Sequence, residues 1–309
     1  MRPELFRLFD VGFPAYFIAL LTGFLFATAL GVVFVKRIGQ NPDVVVDLSL
    51  AMLLWGVAGS RLLHVVADGY FWDYVHFCTD PSQVSWKIPQ SECLSARVAG
   101  VWDATANVCH PKEADCFRWA KFWAGGLTYY GGFIGASIAA YFQLKRDKFP
   151  FFKAADMAGV SVTMGLAFGR IGCLLAGCCF GARCDLPWSL TFPSHSDASQ
   201  AQFKAQLLES ANLPSLPVHP TQIYESLGCL LLTGVLMFGV GPRKRYDGQV
   251  FVGSLIGYAI VRFICEILRR DDRGGALGLS TSQLIGVGLA AFGVAIHAAR
   301  MRQRKMQQA

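Results

Sequence analysis

The sequence predicts an all-α, polytopic membrane protein of about seven transmembrane helices, with its N-terminus outside and its C-terminus in the cytoplasm. Three observations carry this. The 309 residues are 53% hydrophobic and only 16% charged, with mean hydropathy +0.40, whereas about a quarter of a soluble domain is charged. Seven apolar stretches approach or exceed the roughly 20 residues that carry a helix across a hydrocarbon core. Lys and Arg collect in alternate connections between those stretches. The same figures exclude a disordered chain, a disulfide-dense miniprotein and a collagen-like rod. The net charge of +7 calls for no nucleic acid, because membrane proteins concentrate cations in their cytoplasmic loops.

The spans are read at 13–35, 44–67, 122–144, 152–176, 218–240, 250–268 and 281–299. Backbone groups cannot stay unpaired in lipid, so runs of this length are helices. Weak alternation and many glycines oppose a β-barrel. In the first span Ala27-Thr28-Ala29 resembles a signal-peptide cleavage site. Arg2 and Arg7 are balanced by Glu4 and Asp10, however, and Lys36-Arg37 follows the apolar run, so the span is read as retained. Orientation follows from Lys36 and Arg37; Lys145, Arg146, Lys148 and Lys153; Arg243, Lys244 and Arg245; and Arg300, Arg302, Arg304 and Lys305. These short segments hold 13 of the 28 basic residues and alternate correctly for seven spans. The whole chain, 1–309, reads as one transmembrane domain of a bacterial inner (cytoplasmic) membrane protein, with external loops at 68–121 and 183–217.

The loop 68–121 contains Cys78, Cys93, Cys109 and Cys116. Four cysteines in an outward polar segment favour two disulfides, of unspecified connectivity, in an oxidising compartment. A zinc site is the alternative, but spacings of 14, 15 and 6 intervening residues match no standard finger. In the loop 183–217, Phe203, Leu207 and Leu208 recur at helical spacing, with Ser199 and Gln202 as a candidate capping box. That helix either lies at the membrane interface or packs on the bundle.

Seven charged residues fall inside the spans: Asp47, Arg61, Asp156, Arg170, Glu225, Arg262 and Glu266. Each costs about 2.5–3.5 kcal/mol at mid-bilayer on insertion scales, so each needs a partner or a polar cavity. Ion pairing that merely fixes packing accounts for any one of them. Three arginines on three helices point further, to a bound phosphate or carboxylate, because guanidinium offers a planar bidentate fork. In a bilayer the abundant phosphate is a phospholipid headgroup. Glycine-rich turns stand near these arginines: 125–135, which includes Tyr129, Tyr130, Gly131, Gly132 and Gly135, and Gly169-Arg170-Ile171-Gly172-Cys173. Close helix packing suffices for Gly131 and Gly135. His219-Pro220-Thr221-Gln222-Ile223-Tyr224-Glu225 opens the fifth span. There His219 or Glu225 is a candidate proton acceptor.

These motifs resemble those of the bacterial prolipoprotein diacylglyceryl transferases, a family of seven-span inner-membrane enzymes, over nearly the whole chain outside the two external loops. Tyr16 followed by Gly23 is similar to the family's first-span tyrosine motif, and Asp47 and Arg61 fit its second span. Gly125 to Gly132 fits its Gly-Gly-Met-Ser-Phe-His-Gly-Gly stretch. Asp156 and Gly169 to Gly172 fit the start of its signature, and His219 to Glu225 fits its His-Pro-Ser-Gln-Leu-Tyr-Glu. Arg262, Glu266 and Arg269 fall in its Arg-x-x-x-Glu-x-x-Arg pattern.

The resemblance implies transfer of diacylglycerol from phosphatidylglycerol to a cysteine thiol of an exported lipoprotein precursor, with release of glycerol phosphate and no cofactor or metal. It implies catalytic roles for Arg170, Arg262, His219, Glu225 and Tyr130, while Cys178 is a catalytic candidate as the nucleophile of a paralogous lipid- or thiol-transfer reaction. It implies substrate contacts for Tyr16, Arg61, Gly131, Gly132, Cys173, Gln222, Tyr224, Glu266 and Arg269. The chain departs from the family pattern where the signature asparagine is Cys173, its glutamate is Cys178, and the glycine-motif histidine is Tyr130. With Cys179 and Cys184 the cluster reads Cys-x4-Cys-Cys-x4-Cys. Four readings stay open for it: inert packing, a disulfide from Cys184 to Cys173 or Cys178, a thiolate nucleophile activated by Arg170 in a paralogous reaction, or a metal site. A non-catalytic lipid-binding protein is the remaining alternative for the whole chain. Cys229 and Cys265 read as packing.

Overall fold

The computed structural model describes residues 4–8, 11–94, 98, 100–121, 126–210, 212–269, 275–276 and 278–308. The expected start of the third span, 122–125 with Gly125, lies outside them. Helices dominate: α1 (Ala15–Arg37), α2 (Asp43–Ala67), α3 (Phe71–Thr79), α4 (Gln90–Cys93), α5 (Tyr129–Arg146), α6 (Phe151–Ala176), α7 (Asp197–Lys204), α8 (Thr221–Gly234), α9 (Gln249–Ile267) and α10 (Thr281–Gln308). Among the described residues, six segments are long and apolar enough to cross a membrane: α1, α2, α6, Thr221–Arg243, α9 and Thr281–Met306. Where the third span is expected, at 122–144, the chain forms α5, a helix of 18 residues that is not one of these six. The chain is a multi-pass membrane protein.

Short strands are an addition to the all-α expectation. They form three antiparallel pairs, β1 (Glu4–Leu8) with β2 (Val11–Pro14), β3 (Gly100–Asp103) with β4 (Val108–Pro111), and β5 (Gly275–Ala276) with β6 (Leu279–Ser280). All precede or connect the long helices.

Several expected boundaries move, each for a local reason. The third helix begins at Tyr129, because Gly126 has φ +71° and Thr128 is extended. Thr128 is tied to α2 there, its Oγ1 donating to Ser60 O at 3.0 Å and its carbonyl accepting from Ser60 Oγ at 2.7 Å. The fifth helix begins at Thr221, so His219 precedes the helix and Pro220 caps it, rather than both lying within its first turn. Val218 instead bridges Arg183 and Leu190. After Gly234 the helix widens into a π turn over Val235–Val240. The loop helix α7 is capped by Ser196, whose hydroxyl accepts from Ser199 N at 3.2 Å, and not by Ser199. Gln202 pins the loop instead, bonding both the N–H and the carbonyl of Leu216. The basic residues Arg300 to Lys305 continue α10 rather than following it.

Contacts divide the chain into two compact units, Met1–Val45 with Phe149–Ala309, and Val46–Lys148. In the first unit α6 is central and packs on α1, α8 and α9, while α10 packs on α9. Glycine makes the α1–α6 approach possible: a Cβ on Gly23 would sit 2.6 Å from Phe168 Cβ. Across α6 and α8, Thr233 Oγ1 donates to Thr163 Oγ1 at 2.8 Å, a buried polar pair. Asp156 is fully buried and structural. Its Oδ1 accepts from Val250 N and Phe251 N at 2.8 and 3.1 Å, satisfying two orphan donors at the start of α9. Its Oδ2 holds Lys244 at 2.9 Å.

In the second unit, α2 and α5 meet through Gly59 and Gly131, where no side chain fits between the backbones. The expected two disulfides of the loop 68–121 are present, as Cys78–Cys116 and Cys93–Cys109. Those four cysteines therefore offer no zinc ligands.

Candidate active site

The site is built where α6, α8 and α9 of the first unit converge. Glu225 is its centre. One carboxylate oxygen, Oε2, takes Arg170 Nε from α6 at 3.0 Å and Arg262 Nη1 from α9 at 3.2 Å. The other, Oε1, accepts from the Tyr258 hydroxyl at 3.2 Å. Arg262 reaches on through Nη2 to Glu266 at 2.7 Å and Ser282 at 3.2 Å, and Ser280 donates to Glu266 at 2.9 Å. Helical periodicity explains the set, since Arg262 and Glu266 at i,i+4 share a face of α9, as does Tyr258 one turn earlier. Glu225, Arg262, Glu266 and Arg269 are all buried. Among the described residues, three guanidiniums stand here with two carboxylates. The Arg170 side chain is 18% exposed and that of Arg262 10%, so Arg170 is the more accessible cation.

The end of α6 shapes the second half of the site. Gly177 is left-handed at φ 80°, and its N–H bonds Leu174 O while Cys178 N bonds Cys173 O at 3.1 Å. That is a Schellman ending, which brings the residue after the glycine back over the residue five before it. Here those two are Cys178 and Cys173. Cys179, itself at φ 63°, turns in beside them, and the three sulfurs lie within 4.8 Å of one another. Arg269 lies near enough to Cys179 to act on it electrostatically. Thiol donation from Cys173 and Cys178 pulls the Cys179 thiol down against the effect of burial, with Arg269 adding to it, while hydrogen bonding to Cys173 and Cys179, with burial adding to it, pushes Cys178 up. Cys184 is outside the trio and all four are free thiols, so the disulfide reading of this cluster does not hold. From α8, Gln222 Nε2 donates to Cys178 O at 2.6 Å and Thr221 Oγ1 to Cys179 O at 2.9 Å, fixing the turn. Tyr16 lies against the same turn: a Cβ on Gly172 would sit 2.9 Å from its ring.

His219 occupies the approach to α8. Its N–H donates to Ala182 O and its carbonyl accepts from Gly181 N, each at 2.9 Å. Its Nδ1 lies 3.5 Å from the Tyr224 hydroxyl, which also accepts from Trp188 Nε1 at 2.7 Å. The structure thus gathers Arg170, Arg262, Glu225, Glu266, Arg269, Cys173, Cys178, Gln222 and Tyr16 into one constellation, with His219 and Tyr224 at the start of the same helix. Arg61, Tyr130, Gly131 and Gly132 belong to the second unit. There Arg61 is buried and donates to the carbonyls of Trp119, Gly126 and Arg118 at 2.7, 3.1 and 2.7 Å, a bracing role. Asp47 is exposed on α2. Sequence reasoning missed Tyr258, Ser280 and Ser282. The i−4 spacing of Tyr258 from Arg262 was the available signal.

Fold and site together define a multi-pass membrane protein with a buried, carboxylate-braced arginine cluster. Residues 3–299 match the family model of prolipoprotein diacylglyceryl transferase, and the chain belongs to that family. Among similar proteins, the phosphatidylglycerol–prolipoprotein diacylglyceryl transferase of Clostridium tetani is 28% identical over 93% of this chain and 93% of its own length. That of Corynebacterium diphtheriae is 28% identical over 94% of this chain and 89% of its own. The enzyme of Polynucleobacter necessarius is 35% identical over 56% of this chain and 61% of its own length.

Proposed function

We propose that this chain transfers the diacylglyceryl group of phosphatidylglycerol to the cysteine thiol of an exported lipoprotein precursor. The observation that carries the proposal is the single carboxylate, Glu225, holding two guanidiniums from different helices at 3.0 and 3.2 Å. The substrate sulfur attacks the glycerol carbon that bears the phosphate, the carbon–oxygen bond breaks, and glycerol phosphate leaves with the bonding electrons. Charge builds on the departing phosphate, and Arg170 with Arg262 is placed to stabilise it. Glu225 is a positioning residue, because both its oxygens are already engaged. The thiol, with an ordinary pKa of about 8.5, gives its proton to His219, the nearest imidazole to this helix end. Tyr224 and Trp188 orient that ring.

The trio cysteines are unsuited to carry the lipid in transit. Alkylating one of them at the glycerol carbon gives a thioether, whose sulfur is a poor leaving group, so the enzyme would be consumed. We place the protein in the bacterial inner membrane, N-terminus outside, with the loops 68–121 and 183–217 on the outer side. The disulfides of the first loop and the basic segments support that orientation. Purified protein in phosphatidylglycerol vesicles tests the reading. A peptide bearing the acceptor cysteine gains the mass of a thioether-linked diacylglyceryl group, and an unchanged peptide refutes it.

A further inference from the structure

The three sulfurs of Cys173, Cys178 and Cys179 are unsuited to carry the lipid covalently, yet the fold assembles them from a helix ending and pins them from a second helix. We propose that they form a three-thiolate site for a thiophilic d10 cation, Zn(II) or Cu(I).

The spacing suits ligation. Sulfurs each about 2.3 Å from one ion stand about 4 Å apart, inside the 4.8 Å limit seen here. A metal–thiolate set needs little movement, because the Schellman ending already faces Cys173 with Cys178 and the left-handed Cys179 completes the triangle. The ligand type selects the ion: an all-sulfur set with no imidazole or carboxylate favours Cu(I) or Zn(II) over Mg(II), Ca(II) or Mn(II). Each thiol releases its proton to solvent on ligation. The negative charge that results meets Arg269 and Arg170, whose charges both act on the sulfur cluster. Such outer donors hold ligands in place and temper their charge. One more group at this turn lacks a partner: Gln222 is 1% exposed, its Nε2 bonds Cys178 O, and its Oε1 has no donor among the described residues. A water completing a four-coordinate ion is one donor that suits it. Cys184, on the strand-like segment beside Pro217, takes no part.

The test uses the full-length protein in detergent, kept anaerobic with its loop disulfides intact, stripped by chelation, and titrated separately with Zn(II) and Cu(I) against a chromogenic competitor. A single tight equivalent is expected for at least one ion. It survives in Cys184→Ser and weakens roughly 10-fold or more in each of Cys173→Ser, Cys178→Ser and Cys179→Ser. Tight Zn(II) with weak Cu(I) supports a four-coordinate site, and the reverse supports a three-coordinate one. A serine variant that loses its fold is bypassed by maleimide labelling of the wild-type protein. The bound ion slows labelling of all three trio cysteines and leaves the Cys184 rate unchanged. Failure of the wild type to bind either ion, binding that vanishes in Cys184→Ser, or trio labelling indifferent to metal would each overturn the proposal. None of these readouts depends on lipid transfer.

Discussion

Arg170 Nε and Glu225 Oε2 stand 3.0 Å apart, and Glu225 presents the same oxygen to Arg262. One carboxylate therefore sets the separation and orientation of two guanidiniums that reach it from α6 and α9. Replacing Glu225 with Gln preserves shape but removes the charge that holds the pair. Transfer is expected to fall roughly 100- to 1000-fold in Glu225→Gln and in Arg170→Ala, the scale of losing an anion-stabilising donor. Arg170→Lys fails to restore it, because an ammonium lacks the planar fork. Rates of peptide lipidation in phosphatidylglycerol vesicles measure all three.

His219 is held by its backbone and lightly by its ring. His219→Ala is expected to slow transfer by roughly 100- to 10,000-fold, the range of a lost general base. A second substitution separates position from chemistry. A Cβ on Gly181 would sit 2.7 Å from His219 Cβ, so Gly181→Ala displaces the imidazole without removing it. An intermediate rate is expected, with some loss of thermal stability because the same Cβ meets Thr221 Cγ2 at 2.8 Å and His219 O at 2.9 Å, and a wild-type rate would remove His219 from the mechanism.

The sequence made the long helices legible because hydropathy in lipid is a strong, contiguous signal. It also made legible the pairing logic of buried charges, hence Arg170, Glu225, Arg262 and Glu266. Other features depended on tertiary geometry. Asp156 reads from the sequence as one of seven charges inside the spans, yet it caps the start of α9, an interaction that spans 94 residues of sequence. Arg61 fits the family pattern equally well and still donates to three carbonyls of its own unit. The trio of sulfurs was visible as spacing only, while Gly177 following Cys173 by four residues was the Schellman signal that pairs Cys173 with Cys178.

Lys244 gives a stability prediction. Burial opposes its charge, but hydrogen bonds and charge from Asp156 and Asp247 outweigh that and raise its pKa above the ordinary 10.5. Its contribution is fully present below that ordinary value and is lost as pH rises through the raised one. Lys244→Met leaves a buried carboxylate without its counter-charge, with an expected loss of about 3–5 kcal/mol. Melting curves in detergent check it. The gap between wild type and variant stays constant through neutral pH and closes only in strong alkali.

The loop disulfides join residues 38 and 16 positions apart, which stabilises by about 3–4 kcal/mol each in the chain-entropy account. Reduction is expected to open 68–121 to limited proteolysis while the helices of the first unit stay resistant. Equal cleavage before and after reduction would contradict this.

The central claim is direct transfer at the arginine pair with no lipid held on the enzyme. Its most direct measurement is product stoichiometry, with glycerol phosphate and lipidated peptide counted in one reaction and the enzyme weighed intact afterwards. The account predicts glycerol phosphate equal to peptide thioether, an unmodified enzyme mass, and loss of both products in Arg170→Ala. A diacylglyceryl adduct on the enzyme that disappears in Cys178→Ser, or glycerol phosphate released without lipidated peptide, would contradict it.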